Sequence, residues 1–364
     1  MAPKILLIRL RLIGDVILTT PAIRAVRRSC PDAHLTYLVE PHAAAAVAGN
    51  PHLNAVIVAP IVGGLARVRA DARLAWRVRR ARYDAVLDFH GGPRSSFLAW
   101  ASGAPRRIGY DVPGRGWMYT EQVHRPKGHR ERHSVENQWD LVAALLPDLA
   151  RPSPATDPVE MPEAPAARDR VRARLADVGV RAAGNIVVVH VGAGNEFRRW
   201  PEDAFGSLVE ALVTAAPDRR VILTTGSAQA STAAAIKRVA VGRGVPAEAV
   251  DVWCDLDLDE LRSLIGRARL FIGGDSGPAH IAATTTVPMV VLYGPTTPGV
   301  WGPWRPPALV TEIVDAGALP CRPCDQRRCE PGDFRCLRRI APEAVMVAAS
   351  RALAREAART GTDA

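Results

Sequence analysis

An aspartate at the first strand-to-helix turn is a candidate general base. Asp15 follows the continuous apolar run Lys4–Ile8, which is typical of a strand buried in a parallel sheet. A carboxylate at the carboxyl end of such a strand can accept the proton of an attacking hydroxyl group. The same residue can instead cap the next helix, where bonds from backbone N–H groups make a carboxylate a weaker base. Position alone leaves both roles open.

A second set of small and polar residues marks a candidate anion site. The segment Asp275-Ser276-Gly277-Pro278-Ala279-His280 follows a strand predicted at Leu270–Gly273. A helix that begins here presents unpaired N–H groups and a partial positive charge, with no bulky side chain to exclude a diphosphate. His280 lies four residues after Ser276 and can face the same first turn. In the alternative interpretation, Asp275 or Ser276 caps the helix and His280 packs on the sheet.

A guanidinium group is predicted at the edge of the second half's sheet. The strand predicted at Ile186–His190 leads into a Gly-x-Gly loop, but Phe197 replaces the third glycine of a dinucleotide fingerprint. A nicotinamide-dependent oxidoreductase is therefore disfavoured. The same loop carries Arg198, whose planar fork suits phosphate oxygens. A pair of solvated arginines, Arg198 and Arg199, is the alternative.

Four cysteines lie close together near the end of the chain, in a loop rich in proline. Cys321, Cys324, Cys329 and Cys336 have the spacing C-x2-C-x4-C-x6-C. Four thiolates can enclose a tetrahedral zinc ion, although the common arrangement is two C-x2-C pairs. Free thiols in a reducing compartment are the other interpretation. We predict that a metal in this loop, residues 320–337, is structural and that catalysis needs none.

Short apolar runs alternate with helix-like segments in both halves of the chain, which is typical of open, doubly wound α/β sheets. Further strands are predicted at His34–Val39, Ala55–Val58, Tyr83–Phe89, Arg220–Thr225, Ala249–Trp253 and Met289–Tyr293. Helices are predicted at Arg67–Arg82, Pro201–Ala216, Ala228–Ala240, Asp257–Ala268, Gly277–Thr285 and Pro342–Arg359. The proline-rich segment Arg151–Ala166 between the halves is predicted to be a linker. Two such domains put a ligand site in the cleft where the carboxyl ends of their strands face each other.

The composition is that of a globular protein with an excess of positive charge. The chain has 364 residues, enough for two domains, and its net charge is +10. This charge favours an anionic partner such as phosphate, nucleic acid, a carboxylated sugar or an acidic membrane surface. A nucleic-acid-binding protein with a metal in its cysteine loop is disfavoured, because the arginines are spread along the chain rather than clustered with aromatic residues. The first residues lack the apolar core of a secretory signal, so we expect a cytoplasmic protein with peripheral membrane contact.

Five motifs in a fixed order carry a resemblance to a known family. They are Ile13-Gly14-Asp15, Arg106-Arg107-Ile108-Gly109 after Phe89–Ser96, Arg198-Arg199-Trp200-Pro201, Asp275–His280 and Tyr293-Gly294-Pro295-Thr296. Together they resemble the family 9 glycosyltransferases, the ADP-heptose:lipopolysaccharide heptosyltransferases, over essentially the whole chain. The four-cysteine segment followed by Ile340–Val345 looks like the tail of a subset of this family.

The resemblance implies an α/β protein of the GT-B fold, with two Rossmann-like, doubly wound domains facing each other across a cleft. Residues 1–160 would bind the acceptor, and residues 161–340, with the cysteine loop, would bind the nucleotide-sugar. The C-terminal helix, 341–364, would cross back to the first domain. The resemblance also implies inverting, metal-independent transfer of a heptose from ADP-heptose to a lipopolysaccharide core acceptor. The reaction would take place at the cytoplasmic face of the inner membrane, with no nucleic acid as partner.

Individual roles follow from the resemblance by position. Asp15 would be the catalytic base. The donor diphosphate would be bound by Arg198, Asp275, Ser276, Gly277 and His280, with Gly14, Gly294 and Thr296 near the donor. The excess of arginine, rather than the resemblance, suits an acceptor that carries carboxylates and phosphates. Candidates to bind it, with solvated surface charges as the alternative, are Arg94, Arg106, Arg107, Arg130 and Arg132. Candidates to stack on sugar rings, with core packing as the alternative, are Trp100, Trp117 and Trp139.

Two departures from the family pattern affect the donor site. Arg198 stands where the family commonly has lysine, and the two cations bind phosphate differently. The loop 226–230 lacks the acidic residue that contacts the nucleotide ribose in heptosyltransferases. Another nucleotide-sugar, used for a surface polysaccharide, therefore stays open as the donor.

Overall fold

The apolar run at the start of the chain forms the central strand of a parallel sheet, β1. The computed structural model describes residues 2–125, 132–180 and 185–361, and the chain divides into the units Met1–Pro162 and Glu163–Ala364. The strands of the first unit are β1 (Lys4–Ile8), β2 (His34–Val39), β3 (Ala55–Val58), β4 (Ala85–Asp88), β5 (Arg106–Tyr110) and β6 (Glu121–Val123). They lie in the order β3-β2-β1-β4-β5-β6, and all pair in parallel. The boundary between the units falls inside the predicted linker, two residues after the predicted domain end.

Helices connect these strands. Within the described residues of the first unit they are α1 (Ile13–Ile17), α2 (Thr20–Ser29), α3 (Pro41–Ala44), α4 (Gly64–Ala81), α5 (Pro93–Ser102) and α6 (Ser134–Leu145). Proline at the start of α3 and α5 suits a position whose N–H group has no partner inside the helix. Helix α4 differs from the others, because only Leu74 and Val78 of its eighteen residues are buried.

The second unit repeats the strand order of the first. Its strands are β7 (Ile186–His190), β8 (Arg220–Thr224), β9 (Val250–Trp253), β10 (Leu270–Gly274), β11 (Met289–Tyr293) and β12 (Thr311–Asp315). The order is β12-β11-β10-β7-β8-β9, again entirely parallel. Both sheets therefore have the doubly wound topology of nucleotide-binding folds, and the prediction of an α/β protein with two Rossmann-like units is confirmed.

The helices of the second unit include the last one in the chain. Within its described residues they are α7 (Pro165–Asp177), α8 (Glu202–Ala215), α9 (Ala230–Gly242), α10 (Leu258–Ile265), α11 (Gly277–Ala283), α12 (Pro298–Trp301), α13 (Arg335–Arg338) and α14 (Pro342–Thr360). Helix α14, predicted to cross back toward the first domain, belongs to the second unit and packs against α8 and β12. Arg351 and Arg355 of α14 both pair with Glu312 of β12, at 2.7 and 2.9 Å.

The hydrophobic cores of the two units explain why the strands read as continuous apolar runs. Residues of β1 such as Leu6 and Ile8 are fully buried, as are Val187 and Val189 of β7, because helices cover both faces of each sheet. In the described parts of the chain, no helix combines the length and the apolar character needed to cross a bilayer.

Candidate active site

Each sheet has one point at which its strand order reverses, and Asp15, Arg198 and Asp275 follow strands that meet there. In the first unit β1 and β4 are neighbours, with Ile8 opposite Asp88. In the second unit β7 and β10 are neighbours, with His190 opposite Gly273. Loops that leave the carboxyl ends of two such strands diverge and leave a crevice, which is where open α/β sheets bind ligands.

The carboxylate of Asp15 forms a buried ion pair with Arg9. The Arg9 Nη2 and Asp15 Oδ2 atoms are 2.5 Å apart, and their side chains are 9% and 10% exposed. Arg9 Nη1 also donates to the Phe89 carbonyl oxygen at 2.5 Å, which ties the pair to the end of β4. Burial lowers the pKa of Arg9, but the charge of Asp15 and its hydrogen bond outweigh burial and raise that pKa above its ordinary value. Arg9 therefore stays charged and fixes the carboxylate.

Asp15 does not cap the helix that carries it. Helix α1 begins at Ile13, so its N-cap is Leu12, and Asp15 lies inside the first turn. The capping alternative is therefore wrong. Leu12 has φ 45° and ψ 134°, a backbone conformation that is strained for any residue with a Cβ atom. The strained turn places Gly14 and Asp15 beside the end of β1, and both are buried.

Sequence reasoning missed a histidine beside this pair. His90 follows β4, and burial together with the nearby charges of Arg9 and Arg11 lowers its pKa to about 4, so its ring is neutral at pH 7. Among the described residues, its Nδ1 atom is buried without a hydrogen-bond partner. A Cβ atom on Gly92 would lie 2.6 Å from the His90 ring, so glycine is needed there. The signal was present, since His90 directly follows a predicted strand.

Arg125 adds a second, half-buried cation to the first unit's site. Its guanidinium carbon lies 4.6 Å from the centre of the Tyr110 ring at the end of β5. Burial, together with the nearby Arg9, lowers the pKa of Arg125 despite the opposing effects of Tyr110 and Asp15. Arg9 and Arg125 thus place two cations beside the carboxylate of Asp15.

The loop after β4 is held by a fully buried carboxylate. Asp88 Oδ1 accepts bonds from the backbone N–H groups of His90 and Gly91, at 2.9 and 3.0 Å. Asp88 Oδ2 accepts a 2.7 Å bond from the Tyr119 hydroxyl. Burial raises the pKa of Asp88 even though these bonds oppose the shift. Asp88 therefore positions the loop that carries His90 rather than acting on a ligand itself.

In the second unit, the predicted residues Arg198, Asp275 and Thr296 come together. Arg198 Nη1 lies 3.4 Å from Asp275 Oδ2 and donates to the Asp275 carbonyl oxygen at 3.3 Å. The Thr296 hydroxyl donates to Asp275 Oδ2 at 2.5 Å. Asp275 is 3% exposed whereas Arg198 is 31% exposed, so the carboxylate serves as an anchor and the guanidinium keeps part of its surface for a ligand.

Helix α11 begins at this cluster without a side-chain cap. Ser276 occupies the N-cap position, but its hydroxyl donates to the Gly274 carbonyl oxygen at 3.2 Å and accepts no bond from the helix. The capping alternative is therefore wrong for Ser276, and Gly277 opens the helix without a side chain. His280 is the fourth of the seven residues of this helix and is almost fully buried. The N–H groups at the start of α11 and the Arg198 guanidinium form one positively charged corner.

A glutamine of the cysteine loop, also missed by sequence reasoning, reaches this corner. The Gln326 Oε1 atom accepts a 2.7 Å bond from Arg198 Nε and a 3.2 Å bond from Asn195 Nδ2. The ring of Phe334, in the same loop, packs 5.2 Å from that of Phe197. The cysteine loop thus contacts the predicted phosphate-binding residue Arg198 directly. The amide oxygen of Gln326 accepts the bond that Arg198 would donate to a phosphate oxygen.

The loop after β7 is tied to the loop after β8. Gln229 Nε2 donates to the Ala193 carbonyl oxygen at 2.7 Å, and the Thr225 hydroxyl donates to Gln229 Oε1 at 3.1 Å. A Cβ atom on Gly192 would lie 2.4 Å from Thr225 Oγ1, so only glycine allows this approach. Burial lowers the pKa of His190, the last residue of β7, to about 4. Gln229 therefore holds the two loops together.

The predicted acceptor arginines have other contacts. Arg94 pairs with Glu40 at 2.9 Å and with Asp71 at 2.7 Å, and donates to the Pro60 carbonyl oxygen, so the structure gives it a clamping role. Arg106 pairs with Glu121 and Arg132 with Asp140, while Arg107 donates to the carbonyl oxygens of Ala104 and Met118. Arg130 lies outside the described residues. The predicted place of Gly294 near the donor stays a prediction, and a Cβ atom there would lie 2.7 Å from Leu337, so glycine allows the close packing of this loop.

The tryptophans divide between core and surface. Trp139 is buried, and its ring N–H donates to the Ala150 carbonyl oxygen at 2.8 Å. Trp100 and Trp117 are instead exposed, so the core-packing alternative is wrong for both.

The four cysteines of the loop lie near one another and form no disulfide bond. Burial, and then the neighbouring Cys324, Cys321 and Cys329, raise the pKa of Cys336. Among the described residues, however, no group of three or more histidine, cysteine or acidic side chains is arranged to hold a metal ion.

Comparison with known proteins assigns the chain to a protein family. The model of glycosyltransferase family 9 (heptosyltransferase) matches residues 72–332. Lipopolysaccharide heptosyltransferase 3 of Escherichia coli is 28% identical over 332 residues, which cover 87% of this chain and 91% of that protein. A family 9 glycosyltransferase of Veillonella parvula has a similar crystal structure, with a TM-score of 0.81, 20% identity and coverage of 97% and 98% of the two chains. The structure of E. coli ADP-heptose lipopolysaccharide heptosyltransferase II is also similar to that of this chain. The TM-score is 0.78, the sequence identity is 18%, and the match covers 97% of this chain and 99% of that one. The chain belongs to glycosyltransferase family 9 and has the GT-B fold of its structural neighbours.

Proposed function

We propose that this glycosyltransferase moves a heptose from ADP-heptose to a lipopolysaccharide core acceptor, with inversion at the anomeric carbon. Relatives and structural neighbours named as heptosyltransferases support the sugar and the acceptor. The observation that carries the proposal is the presence of complementary groups at the two switch points. One has a carboxylate fixed by arginine, and the other has an arginine beside an uncapped helix start.

Asp15 acts as the general base in this proposal. It takes the proton of the acceptor hydroxyl while the hydroxyl oxygen attacks the anomeric carbon of the heptose. The bond from that carbon to the phosphate oxygen breaks, and ADP leaves with the electron pair. Arg9 orients the carboxylate, and Arg125 and Arg9 together attract the negative charges of the acceptor.

Arg198 neutralises the charge that grows on the leaving diphosphate. Its fork can bind two phosphate oxygens once the Gln326 oxygen moves aside, and the N–H groups of Ser276 and Gly277 add further donors. Asp275 and Thr296 hold this arginine in place. No metal ion takes part in the proposed step.

The donor is tested by titrating the purified protein with ADP, UDP, GDP and NAD. We expect selective binding of ADP, followed by product from ADP-heptose and core acceptor at a rate that EDTA does not change. Preference for UDP or GDP would replace the donor by another nucleotide-sugar. Binding of no nucleotide, with no product formed, would contradict the proposal.

The structural zinc predicted for the cysteine loop stays a prediction with its own test. Elemental analysis of protein purified without chelator should find zinc in a one-to-one ratio to the chain, and Cys324→Ser should lose it. The matched variant Cys30→Ser, at a cysteine in the first unit, should keep it. Wild-type protein without stoichiometric metal would contradict the prediction and leave free thiols as the correct interpretation.

We also propose how the enzyme contacts the membrane. A lipopolysaccharide core acceptor is anchored in lipid, so the enzyme works as a peripheral protein at the cytoplasmic face of the inner membrane. The absence of a membrane-spanning helix among the described residues is compatible with contact through a surface.

A further inference from the structure

The outward side of α4 is a surface of arginine and exposed apolar side chains. It presents Leu65, Arg69, Arg73, Trp76 and Arg80, and Trp100 of α5 lies beside it; together these six residues are the α4 face. Leu65 is 80% exposed and Trp76 is 62% exposed. Side chains of this size normally lie inside a protein, so a group of them on one helix indicates an interaction surface.

Aromatic rings gather at one end of the α4 face. Trp76 and Trp100 line the same shallow cavity between α4 and α5. Trp117 packs edge-on against Trp100, with ring centres 5.9 Å apart, and is itself 63% exposed. The Arg80 guanidinium carbon lies 5.1 Å from the centre of the Trp76 ring. Tryptophan rings flanked by arginine are typical of the boundary between lipid headgroups and acyl chains.

The charge of α4 is strongly positive. The helix carries six arginines and one acidic residue, Asp71. That carboxylate is already engaged, at 2.7 Å from Arg94 of α5 and 3.7 Å from Arg67. The outward arginines Arg69, Arg73 and Arg80 are exposed and face solvent. The partner that matches this charge is an extended anionic surface.

The position of α4 in the fold connects it to the candidate base. Helix α4 follows β3, so its first turn lies at the carboxyl edge of the sheet, where Asp15 follows β1. Two exposed apolar residues, Ile61 and Val62, lead into the helix at this edge. Arg94 fixes the arrangement by donating to the Pro60 carbonyl oxygen while it pairs with Asp71.

We propose that the α4 face binds the surface of an anionic phospholipid bilayer, with Leu65 and Trp76 among the headgroups and the outward arginines on lipid phosphates. The combination of a basic polar face with leucine and tryptophan suits an interfacial helix. The inference deepens the proposed function and rests on it for its purpose, because a lipid-anchored acceptor is reached at such a surface. Binding to the bilayer itself requires neither donor nor acceptor.

Vesicle flotation of the full-length protein tests the proposal. We expect the wild type to float with vesicles of phosphatidylcholine and phosphatidylglycerol, but not with phosphatidylcholine alone, and added salt should weaken binding. The triple variant Arg69→Gln, Arg73→Gln, Arg80→Gln should lose about 100-fold in partitioning, at about fivefold per arginine. The double variant Leu65→Ser, Trp76→Ser should lose at least about tenfold.

Control variants in the second unit separate this surface from general charge and hydrophobicity. Arg238→Gln and Val347→Ser change exposed residues and should float like the wild type. Thermal melting should be unchanged in all four, since none of the altered side chains is buried. Transfer to a water-soluble core fragment should also persist in the α4 variants. Absence of transfer in every protein, with flotation as expected, would overturn the proposed function and leave the bilayer inference standing.

Three results would overturn the inference. The first is that the wild type fails to float with anionic vesicles. The second is that the α4 variants float as well as the wild type. In the third case, the protein would be a dimer that the Leu65→Ser, Trp76→Ser variant dissociates, without any vesicle binding. The α4 face would then be the contact between two copies of the chain.

Discussion

Asp15→Asn is expected to lower the turnover rate for heptosyl transfer by about 10²- to 10⁴-fold, the range that a positioned general base contributes. Asparagine has nearly the same shape as aspartate, and its carbonyl oxygen can still accept the bond from Arg9. The buried Arg9 loses its anion, so the melting temperature should fall, but the donor site in the second unit should survive while the group that accepts the proton is lost. Single-turnover transfer from ADP-heptose measures the chemical step, and titration with ADP measures the donor site.

Asp84→Asn is the matched control, because Asp84 precedes β4 and its carboxylate accepts a bond from the Lys4 backbone at the amino edge of the same sheet. It should transfer heptose at the wild-type rate. Transfer by Asp15→Asn within a few-fold of wild type would remove Asp15 from the role of base. Equal loss in both variants would indicate a defect of the sheet rather than of catalysis.

Arg198→Ala is expected to weaken ADP binding by about 10- to 100-fold, since hydrogen bonds to charged groups are worth about 1.5–3 kcal/mol. Arg198→Lys should recover part of this loss, because lysine supplies the charge without the planar fork. The change also leaves the buried carboxylate of Asp275 without its cation, so the melting temperature should fall. Calorimetric titration and thermal melting separate the two effects.

Two neighbours serve as comparisons for this result. Arg199 is the adjacent arginine, and its Nε atom donates to the Ala193 carbonyl oxygen rather than to the α11 corner, so Arg199→Ala should bind ADP like the wild type. Gln326→Ala removes the oxygen that occupies Arg198 and should bind ADP at least as tightly as the wild type. If Arg199→Ala weakens ADP binding as much as Arg198→Ala does, general charge rather than a specific contact attracts the nucleotide.

The strands whose bounds the sequence predicts are those made mostly of apolar residues. β1, β2, β7 and β11 are almost fully buried and have the predicted bounds, and so does β3, an edge strand with one buried residue whose four residues are all apolar. β6 and β12 were missed because they are edge strands with polar residues such as Gln122 and Glu312. β5 was missed because it begins with two arginines.

In the candidate site, contacts between residues that follow strands could be predicted from the sequence, whereas contacts made by irregular loops could not. Asp275 and Thr296 each follow a recognisable strand, so their meeting is a consequence of strand order. Gln326 lies 128 residues from Arg198 and sits in an irregular loop, so no local pattern predicts the contact. The role of Arg94 was misjudged for the same reason, because its partners come from α4 and from the residue after β2.

The backbone conformation of Leu12 sets the thermal stability of the protein against the geometry of its candidate active site. Its side chain is 67% exposed and contributes little to the core, while its φ of 45° is one that glycine adopts without penalty. A glycine there would remove local strain of about 1–3 kcal/mol and make the chain harder to melt. It would also loosen the turn that carries Asp15. Selection for thermal stability alone would therefore favour glycine at position 12. The substitution would cost the geometry that this turn maintains around Asp15.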